Sequence, residues 1–531
     1  MRIQNSEFRI QSAIGRRLDS GWLLLALLLS AALAVLPMAQ LQVLLGIILL
    51  GGVVLAIIAE PTIGVALTIV AGPLGPLERE ILHVLPLDSA QLLLALTLFA
   101  YVLRMLRHPF TREASPPHPL IPFTPFIPLA LLFFLAVALL SFFQARDASD
   151  WSAEVLKWVE MLVLCVLVSR ERDPRKVAFL IGAVLFSAAV QGAMGLWQYF
   201  RGYGPAVFVV PGTNYYRSYG TFQQPNPFGG YVGLIWPFCA GVVLALIRKW
   251  RLEIKDWRLE IKQISKLQSL ISLLWLTLAL AATALALSGV FTSGSRGARL
   301  AAGAALVVMG LSVLPRRKLW LSLVGLIGLA AVAFNQIPAS LTDTITGLVN
   351  DYGALDVRGI YLTAQNFSNV ERLAHWQVAV DMMRDHPWLG VGFGNYGAYY
   401  EQYRLLYWVN ALGHAHNYYL NIFAETGAIG FVAYLTVWVT IFGVTIGRSQ
   451  TSAQRVKHQT PLVNRQWSTA NSQPQFSILN SKFLYIGLLG TWTHLTVHHL
   501  FDNLYVANSF LLIGVLLGVL INRRGLSKYT L

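Results

Sequence analysis

Residues 41–58 read LQVLLGIILLGGVVLAII, eighteen successive residues without a charged side chain. A run of this length is typical of a membrane-crossing helix, because about 20 residues at a rise of about 1.5 Å span the hydrocarbon core. Similar runs, some of them shorter or partly charged, give fourteen candidate helices, near 21–38, 41–58, 61–73, 89–106, 126–143, 152–169, 177–197, 228–247, 271–291, 299–314, 319–335, 427–447, 483–500 and 504–522. We therefore predict an all-α polytopic membrane protein with about 12–14 transmembrane helices.

The composition of the whole chain agrees with a membrane protein. Of its 531 residues 56% are hydrophobic and only 12% charged, against about 25% charged in soluble proteins. The net charge of +15 lies in short clusters between apolar runs. It does not form the solvated basic face that a nucleic-acid-binding protein needs, so we exclude nucleic acid as a partner. Cys165 and Cys239 lie in apolar stretches and indicate neither a disulfide framework nor a cysteine metal site.

The Arg and Lys clusters predict the orientation of the helices, because such clusters favour the cytoplasmic side. They precede the first predicted helix, follow the fourth, and recur at 170–176, 248–266, 316–318, 448–482 and 523–528. With fourteen spans every cluster falls on one side of the membrane. The sequence therefore predicts that both termini are cytoplasmic, and that a long segment before the twelfth span lies outside.

These patterns divide the chain into four parts. We expect N-terminal transmembrane helices in 1–176, central helices in 177–335 with a basic cytoplasmic insert at 248–268, a large and partly helical periplasmic loop in 336–426 that caps the bundle, and C-terminal helices in 427–531 with a flexible cytoplasmic loop at 448–482.

The first outer segment with chemical character is 211–230, PGTNYYRSYGTFQQPNPFGG, which is dense in turn-forming and amide residues. Arg217 is its only cation and lies shortly before a predicted helix start at Asn226. Two interpretations remain open at this point. The segment is either a structured loop whose arginine reaches the membrane interface, or an anion clamp at the mouth of the bundle.

A second outer segment, TSGSRGAR at 292–299, lies where one predicted helix ends and the next begins. Ser293 or Ser295 is placed to cap the following helix, whose N-terminus favours an anion. Arg296 adds a fork of donors there. A basic pair outside runs against the general distribution of charge. Phosphate or pyrophosphate binding is the simplest explanation, and anchoring at the interface is the alternative.

The long outer loop contains VERLAHWQVAVDMMRDH at 370–386, with apolar residues at spacings of three and four. This pattern predicts an amphipathic helix that lies on the membrane or caps the bundle and stops at Pro387. The glycine pattern at 392–397 superficially matches a dinucleotide fingerprint. No βαβ unit surrounds it, so we reject that interpretation.

Residues 413–427, GHAHNYYLNIFAETG, contain two histidines directly before a predicted span. His414 and His416 are two residues apart, which does not suit metal binding from a helix, and the nearest acid in the segment is Glu425. We therefore predict no metal. A histidine at the outer boundary suits proton abstraction from an incoming hydroxyl, with Asn417 orienting the ring or holding the acceptor. A structural histidine in a helix cap is the alternative.

Taken together, these segments resemble the O-antigen ligase and polysaccharide polymerase family of bacterial inner-membrane proteins. The resemblance covers roughly residues 180–510. Four pieces and a weaker fifth carry it: RSYGTFQQPNPFGGY (217–231), TSGSRGARLA (292–301), ERLAHWQVAVDMMRDHPWLGVGFGNY (371–396), HAHNYYLNIFAETGAIGF (414–431) and HHLFDNLY (498–505).

The resemblance implies glycan transfer from a polyprenyl diphosphate-linked donor to an acceptor hydroxyl on the periplasmic side, without a metal or other cofactor. By position, His416 matches the family's essential histidine, which would be the general base. Arg217 and Arg296 match its two diphosphate-binding arginines. Candidate supporting residues are His414, Asn417, Arg372, Asn226, Glu425 and Asp502. The expected partners are the lipid-linked donor, a lipid-linked glycan or protein acceptor, and membrane lipids, at the bacterial inner membrane.

Other functions remain open from sequence. A ligase and a polymerase of the same family are not distinguished. A polytopic solute or ion transporter also suits fourteen helices, although the two halves show no repeat. Lys157 and Glu160 are the ionisable residues nearest to a predicted bilayer centre. A structural subunit of a polysaccharide complex is the third alternative.

Overall fold

The computed structural model describes residues 38–82, 87–107, 126–210, 213–258, 266–314, isolated positions between 318 and 326, 356–363, 366–458 and 481–522. The chain forms two compact units, Met1–Gly64 with Ala95–Thr111, and Val65–Leu94 with Arg112–Leu531. In the first unit, Arg104 lies 3.8 Å from the carboxylate of Glu60. The second unit contains every residue of the candidate site described below.

Fifteen α-helices lie in the described part of the chain. They are α1 (Met38–Ala59), α2 (Pro61–Ala71), α3 (Gly75–Leu82), α4 (Ser89–Arg107), α5 (Phe126–Leu140), α6 (Ala148–Arg170), α7 (Pro174–Arg201), α8 (Pro225–Arg258), α9 (Lys266–Thr292), α10 (Arg296–Val313), α11 (Phe367–Asp385), α12 (Tyr396–Tyr403), α13 (Tyr418–His458), α14 (Lys482–His498) and α15 (Ser509–Ile521). No strand occurs among the same residues, where one isolated bridge joins Val209 and Tyr216. The all-α prediction is confirmed.

Eight helices of the described residues are long and apolar enough to cross a membrane. They correspond to eight of the predicted spans, at Gln42–Ala59, Ser89–Leu106, Phe126–Gln144, Pro174–Arg201, Pro225–Arg251, Leu270–Thr292, Arg296–Val313 and Tyr418–Ser452. The protein is therefore a polytopic membrane protein, as predicted.

The other six predicted spans are not among these eight helices. Four of them correspond to the helices α2, α6, α14 and α15. Helices α2, α14 and α15 are too short to meet the criterion, and α6 contains too many charged residues. The predicted spans 21–38 and 319–335 lie almost entirely outside the described residues. Most of the predicted flexible loop at 448–482 also lies outside them, and its first part continues α13 to His458.

Local signals in the sequence set several helix ends. Asp147 accepts hydrogen bonds from the backbone N–H groups of Ser149 and Asp150 and so caps α6. Asp173 caps α7 in the same way, with Pro174 at the first helical position. Helix α7 ends at Arg201 and is followed by Gly202, whose φ of 64° is the left-handed conformation that glycine adopts without strain.

The helices around the site are packed closely through small residues. A Cβ atom added to Gly241 on α8 would lie 2.8 Å from the Cα of Gly487 on α14. One added to Gly514 on α15 would lie 2.5 Å from the carbonyl oxygen of Met161 on α6. Small residues let helix backbones approach in a membrane, where van der Waals packing drives association. These contacts hold α8 against α14 and α15 against α6.

The predicted loop helix is present as α11, and it ends before Pro387 as expected. It packs against α13. The chain after α11 also docks into α13, which is broken at Gly427 (φ 65°, ψ −170°). The N–H of Val391 donates to the carbonyl of Ala424 (2.9 Å), and the N–H of Gly392 to that of Glu425 (3.0 Å). The break thus exposes carbonyls that the loop satisfies, which holds the loop beside the start of α13.

Candidate functional site

A cavity of about 130 Å³ lies where four segments of the second unit meet. Its lining comes from the loop before α8, the junction of α9 and α10, the first turns of α11, and the end of α14. The residues are Arg217, Asn226, Gly294, Ser295, Arg296, Gly297, Leu300, Ser368, Asn369, Arg372, His498, Phe501 and Asp502. The arginines singled out from sequence, Arg217, Arg296 and Arg372, are thus brought together.

Arg217 is fixed by two hydrogen bonds to uncharged acceptors. Its Nε donates to the carbonyl oxygen of Ser293 (2.8 Å) and its Nη2 to Oδ1 of Asn226 (3.0 Å). Burial lowers the pKa of this guanidinium, and three neighbouring guanidinium groups lower it further, those of Arg299, Arg296 and Arg372. An arginine nevertheless stays charged at neutral pH. Like charges therefore converge here, which favours an anion in the cavity.

Arg296 is the first residue of α10, and Ser295 caps that helix. The Oγ of Ser295 accepts from the backbone N–H of Ala298 (3.3 Å), which confirms one of the two predicted caps. The Nη2 of Arg296 donates to Oδ1 of Asn369 on α11 (2.9 Å). The guanidinium therefore adds to the positive end of the α10 dipole.

Arg372 reaches the same cavity from α11. Its Nε is fully buried and has no hydrogen-bond partner among the described residues. A buried donor without a partner is costly, so this nitrogen has capacity for a ligand or a water molecule.

Asp502 connects the cavity to the two histidines. Its Oδ1 lies 3.5 Å from Nε2 of His414 and 3.5 Å from Nδ1 of His416. Burial raises the pKa of Asp502. The contact with His416 and the neighbouring histidine charges lower it by more, so the net pKa lies below the usual range. The carboxylate is therefore ionised at neutral pH.

His416 has an unusual backbone for its residue type. Its φ of 52° lies in the left-handed region, where few residues other than glycine are found. Such conformations are held by surrounding structure and cluster at functional sites. Because Nδ1 faces Asp502, Nε2 is the ring nitrogen left to accept a proton. The side chain is 18% exposed and does not itself line the 130 Å³ cavity, which it meets through Asp502.

His414, His416 and Asp502 also bring three donor atoms within 4.8 Å of one another, close enough for a metal ion. Sequence reasoning considered only Glu425 as an acid partner and missed Asp502 in this role. The Nδ1 of His414 accepts from the backbone N–H of His416 (3.0 Å), so the proton of a neutral His414 is on Nε2. Burial lowers the pKa of His414 to about 4, which keeps it neutral. A protonated Nε2 favours a contact with Asp502 over metal ligation.

Two candidate supporting residues lie outside the cavity and make hydrogen bonds that stabilise the fold. Asn417 caps α13, because its Oδ1 accepts from the N–H groups of Tyr419 (3.0 Å) and Leu420 (3.2 Å). Glu425 is buried in α13 and accepts from the N–H of Tyr396 at the start of α12 (3.2 Å). Neither lines the cavity.

The charged residues that a transporter would use are paired outside the cavity. Lys157 contacts Glu154 one turn earlier on α6. The carboxylate of Glu160 accepts from Nε2 of Gln91 (3.2 Å).

Sequence reasoning missed several residues of the site. Asn369, Ser368, His498 and Phe501 line the cavity, and the His375 ring lies 5.7 Å from that of His416. Asn369 was within reach of a sequence argument, since it lies three residues before Arg372 and shares its helix face.

Comparison with known protein families gives a match to part of the chain. A family model described as O-antigen ligase matches residues 281–435. The matched segment includes Arg296, Arg372 and His416 but not Arg217 or Asp502. No curated protein matches the chain. The resemblance to an O-antigen ligase-like family is confirmed, and the match supports a multi-pass membrane enzyme of the O-antigen ligase or polymerase type.

Proposed function

We propose that this protein is a glycosyltransferase of the O-antigen ligase type. It moves a glycan from a polyprenyl diphosphate-linked donor to an acceptor hydroxyl on the periplasmic side of the bacterial inner membrane. One observation carries the proposal. Arg217, Arg296 and Asp502 come from distant segments yet line one cavity, and Asp502 contacts His416.

The arginines account for the leaving group. As the bond between the glycan and the diphosphate breaks, negative charge develops on the departing lipid diphosphate and needs cations already in place. Among the described residues, the cavity lining contains three arginines and one carboxylate, a net of two positive charges. A diphosphate esterified at both ends carries about two negative charges, so the donor would be neutralised there. Planar guanidinium groups suit phosphate oxygens better than lysine would.

His416 and Asp502 account for the nucleophile. Asp502 fixes the proton of a neutral His416 on Nδ1, so that Nε2 can accept the proton of the acceptor hydroxyl. The hydroxyl oxygen then bonds to the anomeric carbon, and the electrons of the broken bond go to the diphosphate. A general base of this kind contributes about 10²–10⁴-fold in rate. The reaction balances without a metal or another cofactor.

A transfer assay with purified components tests this function. Wild-type protein in liposomes is given a lipid diphosphate-linked glycan and an acceptor, and release of lipid diphosphate is measured together with the extended acceptor. Both products are expected to appear in equal amounts. Absence of transfer with every lipid-linked donor and acceptor from the source cell, by protein that is folded, would overturn the proposal.

Deletion of the gene separates ligase from polymerase. We expect loss of attachment while lipid-linked polymer still accumulates, which is the result for a ligase. Single repeat units on the surface would instead identify a polymerase. A reporter fused after Gly359 tests the orientation and is expected to be periplasmic.

A further inference from the structure

Both arginines assigned to the diphosphate are held by the side-chain amide of an asparagine. The Nη2 of Arg217 donates to Oδ1 of Asn226 (3.0 Å), and the Nη2 of Arg296 donates to Oδ1 of Asn369 (2.9 Å). Both asparagines line the cavity. They lie in different elements, Asn226 in the first turn of α8 and Asn369 in the first turn of α11. The same pairing of an arginine with an asparagine therefore occurs twice at one site.

An amide differs from a carboxylate in what it does to the arginine. The amide oxygen accepts a hydrogen bond and fixes the direction of the guanidinium, but it carries no charge. A carboxylate at the same place would form an ion pair and neutralise the cation. The amide nitrogen also keeps its two N–H groups, and these can donate hydrogen bonds to a phosphate oxygen. An asparagine therefore orients the arginine without itself neutralising the guanidinium.

Burial makes this difference large at Asn369. Its side chain is almost completely buried, with an exposed fraction of 4%. The cavity beside it contains Arg296 and Arg372, and Asp502 is the one carboxylate among the described residues that line it. Charge is poorly screened at such a position, so a negative charge placed there would act strongly on both arginines and on any bound anion.

We propose that Asn226 and Asn369 are positioning residues of the donor site, and that Asn369 makes helix α11 part of diphosphate recognition. The inference rests on the proposed function. Asn369 joins α11, which belongs to the outer loop, to Arg296 at the start of α10. Because Asn369 links Arg296 to α11, a diphosphate that holds Arg296 in this orientation favours the packing of α11 against the site. By reciprocity, loosening α11 weakens the binding of the diphosphate.

The test measures binding of inorganic pyrophosphate and of farnesyl diphosphate to the purified full-length protein. Asn369→Asp keeps the size of the side chain and adds a charge. We expect the Kd of both probes to rise by about tenfold or more, because the added carboxylate neutralises Arg296 and repels the bound anion. In the transfer assay the KM for the donor should rise more than kcat falls, because His416 and Asp502 are unchanged.

Asn366→Asp is the matched control. It adds the same charge to the N-terminus of the same helix, where Asn366 bonds to Thr363 and Tyr361 and does not line the cavity. Its Kd for pyrophosphate should stay within about threefold of wild type. Hydrogen exchange gives a second readout. Pyrophosphate should protect the backbone of α11 in the wild type and in Asn366→Asp, but not in Asn369→Asp.

The outcomes separate the two proposals. If Arg296→Ala loses pyrophosphate binding while Asn369→Asp binds like wild type, the asparagine inference is wrong and the donor site stands. If the folded wild type binds neither probe, the donor site itself is overturned and the inference with it.

Discussion

The arginines line the cavity and His416 meets it through Asp502, but the arginines and the histidine are held in opposite ways. Uncharged amide oxygens hold Arg217 and Arg296, whereas the ionised carboxylate of Asp502 contacts His416. An amide partner does not itself neutralise the guanidinium. A carboxylate partner fixes the tautomer of an imidazole and stabilises its protonated form. The difference supports the proposal that the arginines bind an anion and that the histidine receives a proton.

Replacing His416 tests the proton-accepting side of this comparison and should have the largest effect on activity. His416→Ala removes the proposed base, so kcat should fall by about 10²–10⁴-fold. The KM for the donor should change little, because the arginines are untouched. Initial rates of glycan transfer in liposomes measure both. His386→Ala, at the far end of α11 and outside the cavity, is the matched control, and full activity of His416→Ala would remove the residue from the mechanism.

Replacing an arginine tests the anion-binding side of this comparison. Arg217→Ala or Arg296→Ala should lower kcat/KM by about 10²–10³-fold, the usual cost of removing one group that stabilises developing charge. Lysine at either position should restore part of the activity, since it returns the charge but not the two-pronged geometry. Arg384→Ala is the control, because Arg384 is 74% exposed and pairs with Asp381 on α11. Equal activity of the alanine variants and this control would contradict an anion site.

Asp502→Asn makes the histidine partner resemble the arginine partners, because it exchanges a carboxylate for an amide of the same size. We expect kcat to fall by about 10–10²-fold, less than in His416→Ala, since the base remains but its tautomer is no longer fixed. The KM for the donor should fall or stay constant, because a negative charge has left the cavity. A rise in KM with unchanged kcat would assign Asp502 to donor binding instead.

The pH dependence of stability gives the smallest effect. The pKa of Asp502 is lower in the folded protein than its usual value, so ionised Asp502 stabilises the fold above about pH 4. That contribution is lost as the pH falls through the lowered pKa. The difference in Tm between the wild type and Asp502→Asn in detergent should therefore shrink between about pH 5 and pH 2. A difference that is constant or grows on acidification would show that the carboxylate does not stabilise the fold.

Much of the fold followed from local patterns. Apolar runs predicted each of the eight helices that can cross a membrane, and spacings of three and four predicted α11 with its end before Pro387. Ser295, which caps α10, was one of the two serines that the local sequence suggested for this cap. These features depend on neighbours within a few residues, so a single sequence is sufficient to find them.

The pairings across the site did not follow from the sequence. Asp502 lies far along the chain from His416, and the amide partner of Arg296 comes from α11. Glu425 was the nearest acid to the histidines in sequence, but it caps the start of α12. Distance along the chain is a poor guide here, because helix packing brings together the ends of elements that are remote in sequence.

The sequence by itself determined the fold class, an all-α membrane protein, and the resemblance to an O-antigen ligase-like family, together with the residue types of the proposed chemistry. Apolar length and short motifs are local properties, and water and lipid act on them directly. Tertiary structure alone decided which partner holds each functional side chain. The break of α13 at Gly427 and the close crossing of α8 with α14 place these partners. Such contacts depend on how whole helices pack, which no short segment encodes.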